Sequence, residues 1–114
     1  MSEFAGKLNP QEVSRVPSKC GVYLLLRWNG CGWKVLYVGR SNDLNRRLQE
    51  HLPSNEVNLC LRRNRPTHFA CRVVKNEEKA YEAECRLYHH YSPPCNDSHP
   101  AKPSGRLRCP VCSQ

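Results

Sequence analysis

Tyr23 and Tyr37 each stand two residues from a glycine, in Gly21-Val22-Tyr23 and Tyr37-Val38-Gly39. Arg40 follows the second triplet, and Arg47 and His51 come next at i, i+4 spacing. Glu84 lies further along, and Asn96 follows Pro93-Pro94-Cys95. These residue types suit phosphodiester hydrolysis. That reaction needs an attacking water, a group to take its proton, and positive charge for the equatorial oxygens and the leaving group. A lone carboxylate such as Glu84 can hold one Mg²⁺-like ion, because hard cations prefer oxygen and keep several waters. Arg47 offers a permanent charge and a planar fork suited to phosphate. On one helix, Arg47 and His51 project over the same patch. Taken singly, each residue has a plainer reading: strand tyrosines are mostly core, helix charges are mostly solvated, and an asparagine after prolines is a loop residue. Only their joint spacing points to a site.

Two further groups carry possible chemistry. Cys109-Pro110-Val111-Cys112 is a C-x₂-C knuckle, a shape often used to hold Zn²⁺. Cys95 and His99 lie upstream and would complete a four-ligand set; the alternatives are a disordered tail or a redox pair. Arg62, Arg63 and Arg65, with Arg46 and Arg72, would line a path for DNA and make affinity salt-dependent, or else form a solvated surface. Trp28 and Trp33 would pack against the first segment or stack on unpaired bases.

The elements that must position these groups are legible from pattern. Residues 21–28 and 33–39 are rich in β-branched, aromatic and aliphatic types, with Asn29-Gly30-Cys31-Gly32 between them, and read as a β-hairpin. Val22, Leu24, Leu26, Leu36 and Val38 would make an apolar face for helix packing. Tyr23 and Tyr37 would share the other face if they are direct cross-strand neighbours, with Trp28 facing Gly32; a one-residue slip would separate them. A helix follows, with Ser41 or Asn42 as N-cap and Asp43 in its first turn. Leu44, Leu48 and Leu52 form its apolar stripe, and Pro53 ends it. Residues 55–64 suggest a second short helix and Thr67–Val74 a third strand. Asn76 then caps a helix over Glu77–Tyr91, with Ala80, Ala83, Leu87 and Tyr91 on one side. The expected fold is α/β of the α+β kind: a small three-stranded, mainly antiparallel sheet flanked by helices. Its organisation is a lead-in over 1–14 with one helical turn after Asn9-Pro10, a folded domain over 15–97, and a cysteine-containing tail over 98–114.

A chain of 114 residues with 39% hydrophobic types supports one modest core. A formal charge of +8 and a pI near 9.3 favour a polyanionic partner. No apolar run reaches the roughly 20 residues of a membrane span, and the basic residues do not gather on one amphipathic helix, so no membrane partner is expected. The first residues lack an apolar h-region, which implies an intracellular protein of the cytoplasm, nucleoid or nucleus rather than a secreted one. The eight cysteines would then stay free or bind metal, with Cys71 and Cys85 in the core.

The two triplets, with Arg40, Arg47, His51, Glu84 and Asn96 at their spacings, resemble the GIY-YIG nuclease family, with Val in place of Ile in both triplets. The approach Val16-Pro17-Ser18-Lys19-Cys20 to the first triplet is similar as well, and the resemblance spans residues 15–97. It implies a Mg²⁺- or Mn²⁺-dependent endonuclease acting on structured or damaged DNA, with Glu84 as the sole protein ligand of one ion. Tyr23 would orient or deprotonate the attacking water. Since a free phenol has a pKa of about 10, a nearby cation must lower it or a relay must run through His51. Tyr37 would position the phosphate, Arg40 would contact phosphate or the metal's water shell, and Asn96 would hold the site's backbone or Glu84. Targeting would come from DNA shape or from a protein partner. The rival readings are a non-catalytic nucleic-acid-binding module that retains the fold, and a zinc-stabilised RNA-binding or adaptor protein.

Overall fold

The computed structural model describes residues 3–114. The chain runs β1 (Glu3–Lys7), α1 (Pro10–Val13), β2 (Gly21–Trp28), β3 (Trp33–Ser41), α2 (Leu44–Glu50), α3 (Leu59–Asn64), β4 (His68–Val73) and α4 (Glu77–Tyr91). The strands form one sheet in the order β1-β4-β2-β3, with every neighbouring pair antiparallel. The sheet thus has four strands where the sequence pattern predicts three. Residues 3–7 have no β-branched member and only alternate half-buried with exposed positions. As an edge strand they take their conformation from the β4 backbone rather than from their own side chains. The expected lead-in therefore belongs to the fold, and Leu8, Val13 and Val16 are buried in its core. The helical turn after Asn9-Pro10 is α1, where the Asn9 side chain accepts from Glu12 N at 2.9 Å and Pro10 opens the helix.

The hairpin register decides where the phenols go. Tyr23 pairs with Gly39 and Leu25 with Tyr37; a bulge then shifts the partners, so that Trp28 faces Trp33. Near the tyrosines this register differs from direct Tyr23–Tyr37 pairing by two residues, and an even shift preserves side-chain parity. Both tyrosines therefore still face one way. Leu36 occupies the bulge and joins the core on the tyrosine side, instead of lying with Val22 and Val38. The loop is held by Asn29, whose Oδ1 accepts from Cys31 N and Gly32 N, both at 2.9 Å. Trp28 and Trp33 pack on each other at a tilt of 52°, with ring centroids 4.9 Å apart, and Trp33 meets His68 edge-on; both indoles are exposed rather than packed on the first segment.

Both faces of the sheet are covered. On one face Tyr23, Leu25, Phe69 and Cys71 pack with Val13, Leu44, Leu48, Leu52 and Leu61 in the main core. On the other, α4 lies across β2 and β3. Asp43, not Ser41 or Asn42, caps α2, accepting from Arg46 N at 3.0 Å. Ser41 Oγ accepts instead from Asp43 N and so shapes the approach to the cap. The α-helix closes at Glu50, which makes His51 its C-cap, two residues before Pro53. On α4 the buried face is Ala80, Tyr81, Glu84 and Cys85, while Tyr91 is exposed. The helix is rotated from the expected stripe because residues of the tail, Cys109 and Leu107, pack on Tyr81 and Cys85. Cys60 and Cys95 are joined by a disulfide, which ties α3 to the segment after α4. Those two thiols are therefore not free, contrary to expectation; proximity in space, which the sequence does not encode, brings them together. No helix among the described residues is long and apolar enough to cross a membrane.

Candidate active site

β3 is one of the two edge strands, and the site wraps around its border near Gly39. Tyr23 lies opposite Gly39, and a Cβ there would overlap the Tyr23 phenol oxygen and ring. Glycine thus lets the phenol recline over β3 towards the edge. Tyr37 packs beside it with ring centroids 6.1 Å apart. A cavity of about 530 Å³ opens here, lined by Tyr23, Tyr37, Gly39, Arg40, Arg47 and Glu84, among others. Residues from the tyrosine face, from α2 and from the α4 face thus reach one hollow.

Behind Tyr23 runs a buried polar chain. The Tyr23 hydroxyl is 2.8 Å from His51 Nε2, and His51 Nδ1 is 2.5 Å from Glu56 Oε1. Glu56 Oε2 in turn accepts from Val57 N and Asn58 N, both at 3.0 Å. Glu56 accepts through both oxygens, so His51 donates Nδ1–H to Glu56 and presents a lone pair at Nε2. The Tyr23 O–H therefore donates to His51. Burial raises the Tyr23 pKa strongly, the neighbouring Tyr37 adds to the rise, and the charge of Arg47 opposes it. Burial lowers the His51 pKa, and Glu56 only partly offsets this. The imidazole is thus neutral near pH 7 and able to accept a proton. Glu56 is the functional residue that sequence reasoning missed. It lies in a loop with no periodicity, five residues after His51, and only the turn of residues 52–56 folds it back.

On the other side of β3, Arg40 Nη1 lies 2.6 Å from Glu84 Oε1 and its guanidinium sits 5.4 Å from the Tyr81 ring centroid. Burial raises the Glu84 pKa, and the hydrogen bond and charge of Arg40 pull against it. Arg47 is bound by Glu50 at 2.7 Å, and Arg46 reaches the same carboxylate at 3.2 Å. Asn96 stands at the edge of β3 rather than in the hollow: its Nδ2 donates to Val38 O at 2.8 Å and its Oδ1 accepts from Val38 N at 2.9 Å. Cys95 N adds a bond to Leu36 O at 2.9 Å. Residues 95–96 so act as a short surrogate strand.

The structure brings Tyr23, Tyr37, Arg40, Arg47 and Glu84 together, sets His51 behind Tyr23, and uses Asn96 as a clip. Of the arginines expected to line one DNA path, only Arg46 reaches this cavity. Arg62 and Arg65 border a separate hollow beside His51 and Glu56. Arg63 is on α3, and Arg72 pairs with Glu3 at 3.1 Å. The five are spread over α2, α3 with its C-cap, and β4. The expected tail ligand set also changes. Cys95 is committed to Cys60, and His89 stands with His99, Cys109 and Cys112 instead.

The donors fit one hard divalent cation. Glu84 is a buried carboxylate that opens on a cavity roomy enough for an ion that keeps water, and hard ions take oxygen ligands. The fold and this hollow define the class: residues 19–96 match the model of the GIY-YIG catalytic domain, and the chain belongs to that family. Among solved structures it is similar to the GIY-YIG N-terminal endonuclease domain of UvrC from Thermotoga maritima bound to magnesium as its catalytic divalent cation. That match has 25% identity and a TM-score of 0.62, covering 75% of this chain and 92% of that one. A point mutant of the same domain, also bound to its catalytic divalent cation, matches at 24% identity and a TM-score of 0.64, over 77% and 93% of the two chains. The curated proteins give no significant match.

Proposed function

We propose that this chain is a Mg²⁺- or Mn²⁺-dependent endonuclease that hydrolyses the DNA backbone. The observation that carries the reading is the chain Tyr23–His51–Glu56 ending at a cavity that also holds Arg47 and Glu84. Buried as it is, Tyr23 is a poor acid and would not become a base unaided. His51 removes that obstacle: Nε2 takes the phenol proton as the phenol oxygen takes one from the attacking water. The imidazolium so formed is stabilised by the Glu56 carboxylate. The proton can leave from the far side, where His51 and Glu56 border a second hollow.

Glu84 would hold the ion, which when bound stabilises the negative charge that develops on the phosphate and the leaving oxygen. Arg47 exchanges Glu50 for a phosphate oxygen, an exchange helped because Glu50 is nearly half exposed. Were Glu84 to hold the ion, Arg40 would give up its bond to that carboxylate and its guanidinium would be available to the phosphate. Tyr37 donates a hydrogen bond to the same phosphate and fixes its position. Structured or damaged DNA is the proposed substrate, with DNA shape or a protein partner supplying the target, since one small cavity reads little sequence.

Incubation of the chain with supercoiled plasmid and with flap, junction, duplex and single-stranded DNA, with Mg²⁺, Mn²⁺ or chelator, tests the proposal. Cleavage that needs metal and disappears in Glu84→Ala and Arg47→Ala supports it. Binding without metal-dependent cleavage on every substrate would leave a nucleic-acid-binding module in its place.

A further inference from the structure

We propose that His89, His99, Cys109 and Cys112 hold one structural Zn²⁺ that fastens the tail to the C-terminal half of α4. One donor atom from each of these side chains lies within 4.8 Å of the others. A tetrahedral site with Zn–S of about 2.3 Å and Zn–N of about 2.0–2.1 Å has donor separations of roughly 3.3–3.8 Å. His99 Nε2 and Cys112 Sγ, 3.4 Å apart, already form one such edge.

The surroundings prepare the donors. His99 Nδ1 lies 3.0 Å from Pro100 O and donates to it, so that Nε2 keeps its lone pair. A backbone carbonyl on the far nitrogen is a common way to orient a ligating imidazole. His89 Nε2 is buried and has no hydrogen-bond partner among the described residues. A buried ring nitrogen without a partner is costly, and a metal ion at this cluster supplies one. Val111 N approaches Cys109 Sγ at 3.4 Å, and Ser113 N bonds Cys109 O at 2.9 Å, with Ser113 at φ 60. This closed turn points both knuckle sulfurs to one side. Two thiolates and two imidazoles select zinc over the oxygen-seeking Mg²⁺ of the catalytic cavity.

The tail also needs such a staple. Its apolar packing on α4 is confined to Leu107 and Cys109 against Tyr81 and Cys85, and the His99 ring lies against Tyr88 and His89. Ordering the backbone of the tail costs conformational entropy, which so small an apolar contact does little to offset. The site lies next to the chemistry: His89 is five residues, about one and a half helical turns, beyond Glu84 on the same helix, and Ala101 from the tail lines the catalytic cavity. The zinc site does not depend on the nuclease reading.

The whole chain, purified without added metal, should contain close to one zinc per molecule, retained in excess Mg²⁺. Replacement by Co²⁺ should give the visible absorption of a tetrahedral cobalt–thiolate site. Cys112→Ser and His89→Ala should each lose the metal and make residues 97–114 sensitive to protease. Cys31→Ser and the double variant Cys60→Ser/Cys95→Ser should keep it. The proposal is overturned by substoichiometric zinc in the folded parent chain, by an octahedral cobalt spectrum, by full zinc retention in Cys112→Ser, or by a Cys109–Cys112 disulfide in freshly prepared protein.

Discussion

Replacing Glu56 by Gln tests the relay at the one point where sequence gave no warning. The substitution keeps size and shape but removes the charge that faces His51 Nδ1 at 2.5 Å. As Tyr23 surrenders its proton, His51 becomes a cation, and the contact with Glu56 becomes a largely buried ion pair. A hydrogen bond to a charged partner contributes about 1.5–3 kcal/mol, which converts to a roughly 10- to 150-fold loss in cleavage rate. A second effect has a definite direction. Glu56 raises the His51 pKa against the lowering caused by burial, so Glu56→Gln lowers that pKa further. Neutral His51 is the active form, and the acidic limb of the rate profile should therefore move to lower pH while the plateau falls. The amide must also face either His51 or the two backbone donors with its NH₂, which should lower the melting temperature by several degrees. The assay is metal-dependent nicking of supercoiled plasmid from acid to neutral pH, with melting followed by circular dichroism. A plateau within about threefold of the parent, less than about 1 kcal/mol, would refute the relay. So would a reduced plateau whose acidic limb does not move.

Tyr23→Phe should abolish cleavage and leave His51 Nε2 buried without a partner, at a cost of about 1–3 kcal/mol in denaturant unfolding. Gly39→Ala should force the Tyr23 ring aside, destabilising the fold by about 1–3 kcal/mol; unchanged melting and activity would show that the close approach is not needed. Asn96→Ala releases both backbone groups of Val38 and should cost about 1–3 kcal/mol and lower the cleavage rate with little change in affinity for Mg²⁺. The folded-state pKa of His51 lies below its ordinary value of 6.5, so the unfolded chain binds the extra proton first. Stability should therefore decline as pH falls below about 6.5 and on towards the depressed pKa. In His51→Gln that part of the decline should vanish.

Much of this fold was legible because its elements announce themselves locally. The bounds of α4 follow from Asn76, a run of helix formers and Pro93-Pro94. Leu44, Leu48 and Leu52 lie at helical spacing and are all buried. What stayed hidden depends on partners distant in sequence. β1 is a strand only because β4 offers it an edge, and Glu56 matters only because the chain folds back on His51. The pairing of Cys60 with Cys95 removed one expected zinc ligand. His89, inside a helix and next to another histidine, showed no spacing that would mark it as the replacement. The phenols illustrate a third case: the predicted hairpin register was off by two residues, yet parity kept both on the same face. Family resemblance named the participants and allowed for a relay from Tyr23 through His51, but not that Arg40 would hold Glu84 or that Glu56 would stand behind the imidazole.

The clip of residues 95–96 on β3 also bears on how these molecules meet one another. An open sheet edge is a template on which a second chain can add a strand. On the β3 side the Leu36 carbonyl and both backbone groups of Val38 are already engaged, so an incoming strand would first have to pull Asn96 away. The opposite border is β1, five residues long, with charged Glu3 and Lys7 at its ends. Self-association through the sheet is thus discouraged by occupation on one flank and by brevity and charge on the other, and the hollow beside β3 stays open to a ligand as bulky as a polynucleotide.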